Sequence, residues 1–219
     1  MAYRQTVRVL RHKEATREAI LQAATALVGA GEPVSMEAVA RGAGVSVGSL
    51  YTYFADRGAL LAALFAFRAE KELAVMEEAL ESDPDPERSL EHAVTTMLRR
   101  MRRNPGLALF LLLERMDRDE RLEAMKLDFH RRHCAAISGC IGRGMRLGVF
   151  PDQLPEISAA AILGAVIEVA TRSLAVPRGA EVPVASLEWY PEVVVERQLA
   201  RTVLAICGRQ HTVRRWGHS

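Results

Sequence analysis

The run from Ser35 to Phe54, SMEAVARGAGVSVGSLYTYF, constrains the fold more than any other stretch, because it reads as two short helices separated by a glycine turn. Ser35 is placed to cap the first, its side-chain oxygen accepting from an otherwise unpaired backbone N–H. Met36, Val39 and Ala40 then fall on one face at helical spacing. Gly42 or Gly44 can supply the left-handed turn that ends this helix, and Ala43 is small enough for two helices to cross closely. Val45 plugs the corner. Ser46 caps again, and Leu50 and Phe54, four residues apart, hold the second helix down while Val47, Ser49, Thr52 and Tyr53 point elsewhere.

That outward set carries hydroxyls and no acid, which suits a surface facing phosphates and base edges. Serine, threonine and tyrosine donate to phosphate oxygens, while Val47 and the threonine methyl can touch a thymine methyl in a major groove. Gly48 is a poor helix former near a helix start, and its missing side chain suits close approach by a partner. The expectation is a helix-turn-helix for DNA. An ordinary helical corner with a solvated second helix is the competing reading, because glycine turns between helices are common.

Over a wider window, Ile20, Ala23, Ala24, Leu27, Gly31, Val39, Ala40, Ala43-Gly44-Val45-Ser46, Gly48, Leu50-Tyr51, Tyr53-Phe54 and Leu60-Leu61 fall in one register that resembles the DNA-binding domain of the tetracycline-repressor (TetR) family. The resemblance implies a three-helix domain docked on DNA, with Tyr51 and Tyr53 on the backbone side of the recognition helix and Val47, Gly48, Ser49 and Thr52 facing the groove. Ser35 and Met36 complete the expected DNA-binding set with Arg57, which stands where the family usually carries a phosphate-contacting lysine. Arginine keeps the charge and can fork onto phosphate. Gly58 replaces a usual acid, losing a favourable carboxylate at a helix N-terminus.

Charge is local rather than global. The chain is only +2 overall, yet Arg4, Arg8, Arg11, Lys13 and Arg17 crowd the first stretch, with Glu14 the only acid among them. Residues 1–13 read as an arm for phosphate or the minor groove, with the first helix beginning near Glu14. Cys134, Cys140 and Cys207 are odd in number and lie on helical, apolar stretches, so a reducing cytoplasm is expected rather than a disulfide framework. The basic N-terminus lacks the apolar run of a secretion signal. Ala159 to Val176, the most apolar stretch, is interrupted by Glu168 and Arg172 and reads as a buried helix, not a membrane span.

The remaining chain reads as helices separated by proline and glycine. After Asp56, a candidate N-cap, a long fourth helix turns acidic. Pro86 opens a fifth, reaching about Arg103, and Asn104-Pro105 opens a nearly all-apolar sixth. Leu122 to Leu147 forms a seventh ending at Gly148, Pro155 to Val176 an eighth, and Pro191 to about Ile206 the last. No alternating strand pattern appears, so the class is all-α. The expected division is an arm with helix-turn-helix domain (1–58), a linking helix (59–81) and a helical regulatory and dimerisation domain (82–219).

For the second half, two uses compete with plain core packing. Small residues Ala161, Gly164 and Ala165 with Ile157 on the eighth helix, and Val194 and Leu199 on the last, suit close pairing across a two-fold axis. In the resembled family the last two helices play this part. An adaptable apolar pocket could draw on Met97, Met101, Phe110, Leu113, Phe129 and Ile137, with Glu114, His133 and Glu168 as polar anchors. The same residues at the same spacing also serve a helical core, and Glu168 with Arg172 is an ordinary i, i+4 pair. His130, His133 and Cys134 could share a face, but no further ligands lie nearby, so no metal is expected; nor is a cofactor. No phosphate-binding glycine loop or nucleophile and base arrangement points to an enzyme. The reading is a cytoplasmic homodimeric repressor released from a double-stranded DNA operator by a small effector of unknown identity. A ligand-independent architectural or partner-binding protein on DNA is the alternative.

Overall fold

The computed structural model describes residues 2–112, 120–174, 187 and 190–208, with side chains from residue 8 onward except those of 120 and 174. These residues form helices α1 (Ala2–Ala30), α2 (Met36–Ala43), α3 (Val47–Tyr53), α4 (Arg57–Leu80), α5 (Pro86–Arg103), α6 (Pro105–Leu112), α7 (Glu120–Arg146), α8 (Pro155–Leu174) and α9 (Glu192–Ile206). The fold is all-α, and no strand occurs among the described residues. No helix among them is long and apolar enough to cross a membrane.

Local chemistry sets most boundaries. The Asp56 carboxylate accepts from Ala59 N at 2.7 Å and caps α4, supplying the negative charge that Gly58 does not. Between α4 and α5, the fully buried Ser89 hydroxyl donates to the Asp83 carbonyl at 2.8 Å and accepts from Asp83 N at 3.2 Å, closing the Asp-Pro turn. Gly148, at φ 70°, ends α7.

The first boundary differs from expectation. α1 begins at Ala2, not near Glu14, so the stretch expected as a separate arm is the first part of α1. No proline or glycine lies between residues 2 and 28, and arginine, glutamine, leucine and alanine all propagate a helix well.

The chain divides into two compact units. One comprises residues 1–71 and 104–126, so α6 belongs with α1 to α3 and the first part of α4. Its core holds Ile20, Leu21, Ala24, Val39, Leu50, Leu60, Leu64 and Phe65. Phe110 of α6 packs on Phe65 with ring centroids 6.3 Å apart. A Cβ at Gly106 would fall on the Val28 carbonyl oxygen, so α6 starts hard against the last turn of α1. The positive end of α6 thus meets the negative end of α1, a favourable dipole arrangement.

The other unit comprises residues 72–103 and 127–219. Leu90, Val94 and Leu98 of α5, Ile137 and Ile141 of α7, Ile162, Leu163 and Val166 of α8, and Leu199 and Val203 of α9 form its core. Polar clamps hold its helices in register. Glu196 is buried on α9, and Arg99 Nε and Nη2 of α5 donate to its Oε2 at 2.9 and 2.7 Å. Arg100 forks onto Glu72 at 2.7 and 2.9 Å. Phe150 folds back across α7 at Gly144, where a Cβ would strike its ring.

Candidate nucleic-acid interface

In the first unit, α2 and α3 are joined as the glycine spacing requires. Ser35 Oγ accepts from Ala38 N at 3.1 Å and starts α2. Gly44, at φ 68°, takes the left-handed turn. Its N–H reaches the Arg41 carbonyl at 3.3 Å and Val45 N reaches that of Ala40 at 3.0 Å, the paired bonds of a Schellman ending. Gly42 has the other role: a Cβ there would meet the Ala23 methyl at 3.2 Å, so its bareness lets α2 close on α1. Ser46 Oγ then accepts from Ser49 N at 3.0 Å and starts α3.

Leu50 and Phe54 are buried and pin α3 to the unit. On its other side Gly48, Tyr51 and Thr52 are exposed, Tyr51 by 50 %, while Val47, Ser49 and Tyr53 are half-buried along the margins. Thr52 donates its hydroxyl hydrogen to the Ser49 carbonyl at 2.7 Å. That fixes the rotor, leaves the oxygen lone pairs to accept, and sets the direction of the methyl. A Cβ at Gly48 would meet only Ser46 Oγ, at 4.0 Å. Nothing described in the chain therefore requires glycine there, although glycine is a poor helix former beside alanine.

The flanks add positive charge. Arg57 is exposed, and its Nε donates to the Val34 carbonyl at 2.7 Å, which sets the direction of the guanidinium. Arg17 of α1 lies over the Phe54 ring, 5.5 Å from the centroid, beside the end of α3. Sequence reasoning did not find this contact, because 37 positions separate the partners and nothing local signals it. Ser35 is half-buried and engaged in its cap, and Met36 lies 6 % exposed in the core, so the Met36 side chain does not join the surface set.

The described residues named for a pocket are divided between the two units. Phe110 packs within the first unit. In the second, Ile137 is core, with Met97 and Met101 half-buried against it. His133 is only 3 % exposed; its Nδ1 donates to the Phe129 carbonyl at 2.9 Å, and its ring meets the Phe129 ring edge-on at 4.2 Å. Burial holds the His133 imidazole below its ordinary range, opposed in part by the bond to the Phe129 carbonyl. Glu168 is exposed and pairs with Arg172 at 2.6 Å, facing out of the bundle. Leu113 and Glu114 lie outside the described residues.

The pairing residues divide as well. Ile157, Ala161, Gly164 and Val194 are exposed, Ile157 by 64 %, and Ala165 is half-buried. Leu199 faces its own unit's core. The outer stripe of α8 is thus apolar, small and free of charge from Ile157 to Gly164.

Comparison with known proteins fits this geometry. Residues 20–64 match the model of bacterial regulatory proteins of the tetR family. No curated protein matches. Among solved structures, a regulator from Rhodococcus sp. Rha1 is similar at 20% identity over 88% of this chain and 96% of its own, with a TM-score of 0.71. A TetR regulator from Haloarcula marismortui ATCC 43049 is similar at 19% identity over 89% and 97%, with a TM-score of 0.70. FadR from Bacillus subtilis, solved in complex with stearoyl-CoA, is similar at 18% identity over 86% and 97%, with a TM-score of 0.69. At these identities the likeness to solved structures is one of fold.

Proposed function

We propose that this chain is a DNA-binding regulator of the TetR type, a homodimeric repressor that a small, largely apolar ligand releases from its operator; the match of residues 20–64 to the tetR-family model supports the DNA-binding part of that reading. The observation that carries the reading is α3: a short, doubly anchored helix with an acid-free outer face and an exposed glycine that its own fold does not need. Such a face suits a major groove, with Val47, Gly48, Ser49 and Thr52 toward the bases and Tyr51, Tyr53 and Arg57 toward phosphates. Two such helices about one DNA turn apart require a dimer, and the exposed apolar stripe on α8 with Val194 on α9 is the surface we assign to it.

Release requires a ligand that binds the DNA-incompetent arrangement more tightly than the competent one. α6 is the element best placed to carry that preference. It continues directly from α5, and its first turn is wedged against Val28 and Gly29 of α1 with no room for a side chain at Gly106. The Bacillus subtilis FadR holds stearoyl-CoA, so long-chain acyl-CoA is a reasonable first probe alongside free fatty acids and other apolar compounds.

The test is binding to the intergenic DNA upstream of the gene by wild type and Tyr53→Ala. The variant is expected to lose most of its affinity while remaining folded at the assay temperature, and equal binding by both overturns the assignment of α3. Thermal shift across the compound panel tests the effector. No stabilisation by any compound, with DNA binding intact, favours ligand-independent action.

A further inference from the structure

We infer that the first turns of α1 form a rigid phosphate-gripping rod that extends the DNA contact beyond the helix-turn-helix. The inference rests on the DNA-binding reading above and adds a second, sequence-independent contact to it. Three observations converge on this stretch. α1 is helical from Ala2, yet among its residues with described side chains none before Ile20 is buried. Every described side chain from Arg8 to Ala15, about two turns of helix, is exposed and stands clear of the described core, Val9 and Leu10 by 55 % and 54 %. A helical segment left this bare is marginal in water by itself, so it gains from a surface to lie on.

The charge of the segment selects that surface. Arg8, Arg11, Lys13 and Arg17 are all exposed, and Glu14 is the only acid between them. They sit on both flanks. Leu10, Lys13 and Arg17 share one side at helical spacing, while Arg8 and Arg11 lie on another. A rod with cations on both flanks suits a surface of dense, closely spaced negative charge, and a duplex carries one charge per roughly 1.7 Å of axis.

Position then ties the rod to α3. Arg17 rests on the Phe54 ring just past the last turn of that helix, so the basic stretch starts next to the C-terminal end of α3. At about 1.5 Å per residue, Arg8 lies about 13 Å further along the helix than Arg17. An extended arm would thread the minor groove. A helix of about 10 Å diameter does not enter a groove about 6 Å wide, so the rod lies on the phosphates and contributes affinity without sequence preference.

The test measures fluorescence anisotropy of full-length wild type and of the Arg8→Ala/Arg11→Ala/Lys13→Ala variant on upstream intergenic DNA and on a random duplex, across a salt series. All three sites are exposed and alanine favours helix, so melting temperature and helical content are expected to hold. The variant should bind both duplexes about ten- to a hundredfold more weakly at 0.15 M salt. Its log-log salt slope should be shallower by about 2 to 3, with the preference between duplexes unchanged. Coincident slopes for the two proteins, with wild type bound to DNA, overturn the rod and leave the helix-turn-helix reading standing. Wild type that binds neither duplex overturns both. Binding of wild type but not the variant to anionic phospholipid vesicles, with coincident DNA slopes, reassigns the segment to a lipid surface.

Discussion

The outer faces of α3 and α8 are alike in one respect and opposite in another. Each carries a helical glycine whose missing Cβ the described chain does not need: Gly48, in the first turn of α3, with only Ser46 Oγ at 4.0 Å, and Gly164, in the middle of α8, with nothing within 4 Å. Gly106 and Gly144 are the contrast, since a side chain there would strike the Val28 carbonyl and the Phe150 ring. Internal packing thus accounts for the second pair and not the first, and the proposed function gives the first pair its use, a partner that approaches closely. The two faces then differ in chemistry. α3 offers hydroxyls and flanking cations, which match phosphates and base edges; α8 offers Ile157, Ala161 and bare backbone, which match a second copy of the same helix.

The sharpest way to break this comparison is to put bulk and charge on α8. Ala161→Arg is expected to weaken self-association at least about a hundredfold, as a charge repeated across a two-fold axis would, while leaving the monomer folded. Sedimentation velocity reads this directly, and an unchanged mass would remove α8 from the interface. A second test uses the internal pair. Gly106→Ala should lower stability by about 1–3 kcal/mol, because backbone must move to admit the methyl. Gly164→Ala should leave monomer stability equal or slightly higher. Chemical denaturation of both separates glycines held by the chain from glycines that face outward.

The smallest effect concerns pH. His133 is buried with its pKa lowered from 6.5, so the folded state resists a proton that the unfolded chain accepts. Stability from this group is present above about pH 6.5 and declines as pH falls below it toward the lower folded value. Wild type should therefore lose more melting temperature between pH 7 and pH 5.5 than His133→Gln, and parallel losses would contradict a neutral buried imidazole.

How much of this was legible in the sequence depended on range. Ser35, Ser46, Asp56 and Asn104 announced helix starts because a cap bonds within three residues of itself, and Gly44 and Gly148 announced endings for the same reason. The start of α1 was missed because nothing local punctuates it. Contacts between distant positions were also out of reach: Arg17 on Phe54, α6 wedged at Val28, and Glu196 buried under Arg99 all join residues with no shared pattern. Periodicity likewise could not separate a pocket wall from a core. Phe110 lies on Phe65 in one unit, Ile137 sits in the core of the other, and both read as the same apolar helix position. Met36 shows a conflict within the binding region itself: its spacing with Val39 and Ala40 marked the buried face of α2, while the family resemblance placed it in the DNA-binding set, and the spacing agrees with its burial.

The central claim is that α3 presents its glycine to DNA, and Gly48→Gln measures it most directly because stability and binding should move apart. A side chain at 48 enters open space in the free protein, so the variant should melt at or above the wild-type temperature. The account predicts that it nonetheless loses at least about a hundredfold in affinity for the upstream intergenic DNA, with glutamine held between α3 and the groove. A variant that is equally stable and binds that DNA as tightly as wild type would contradict the account.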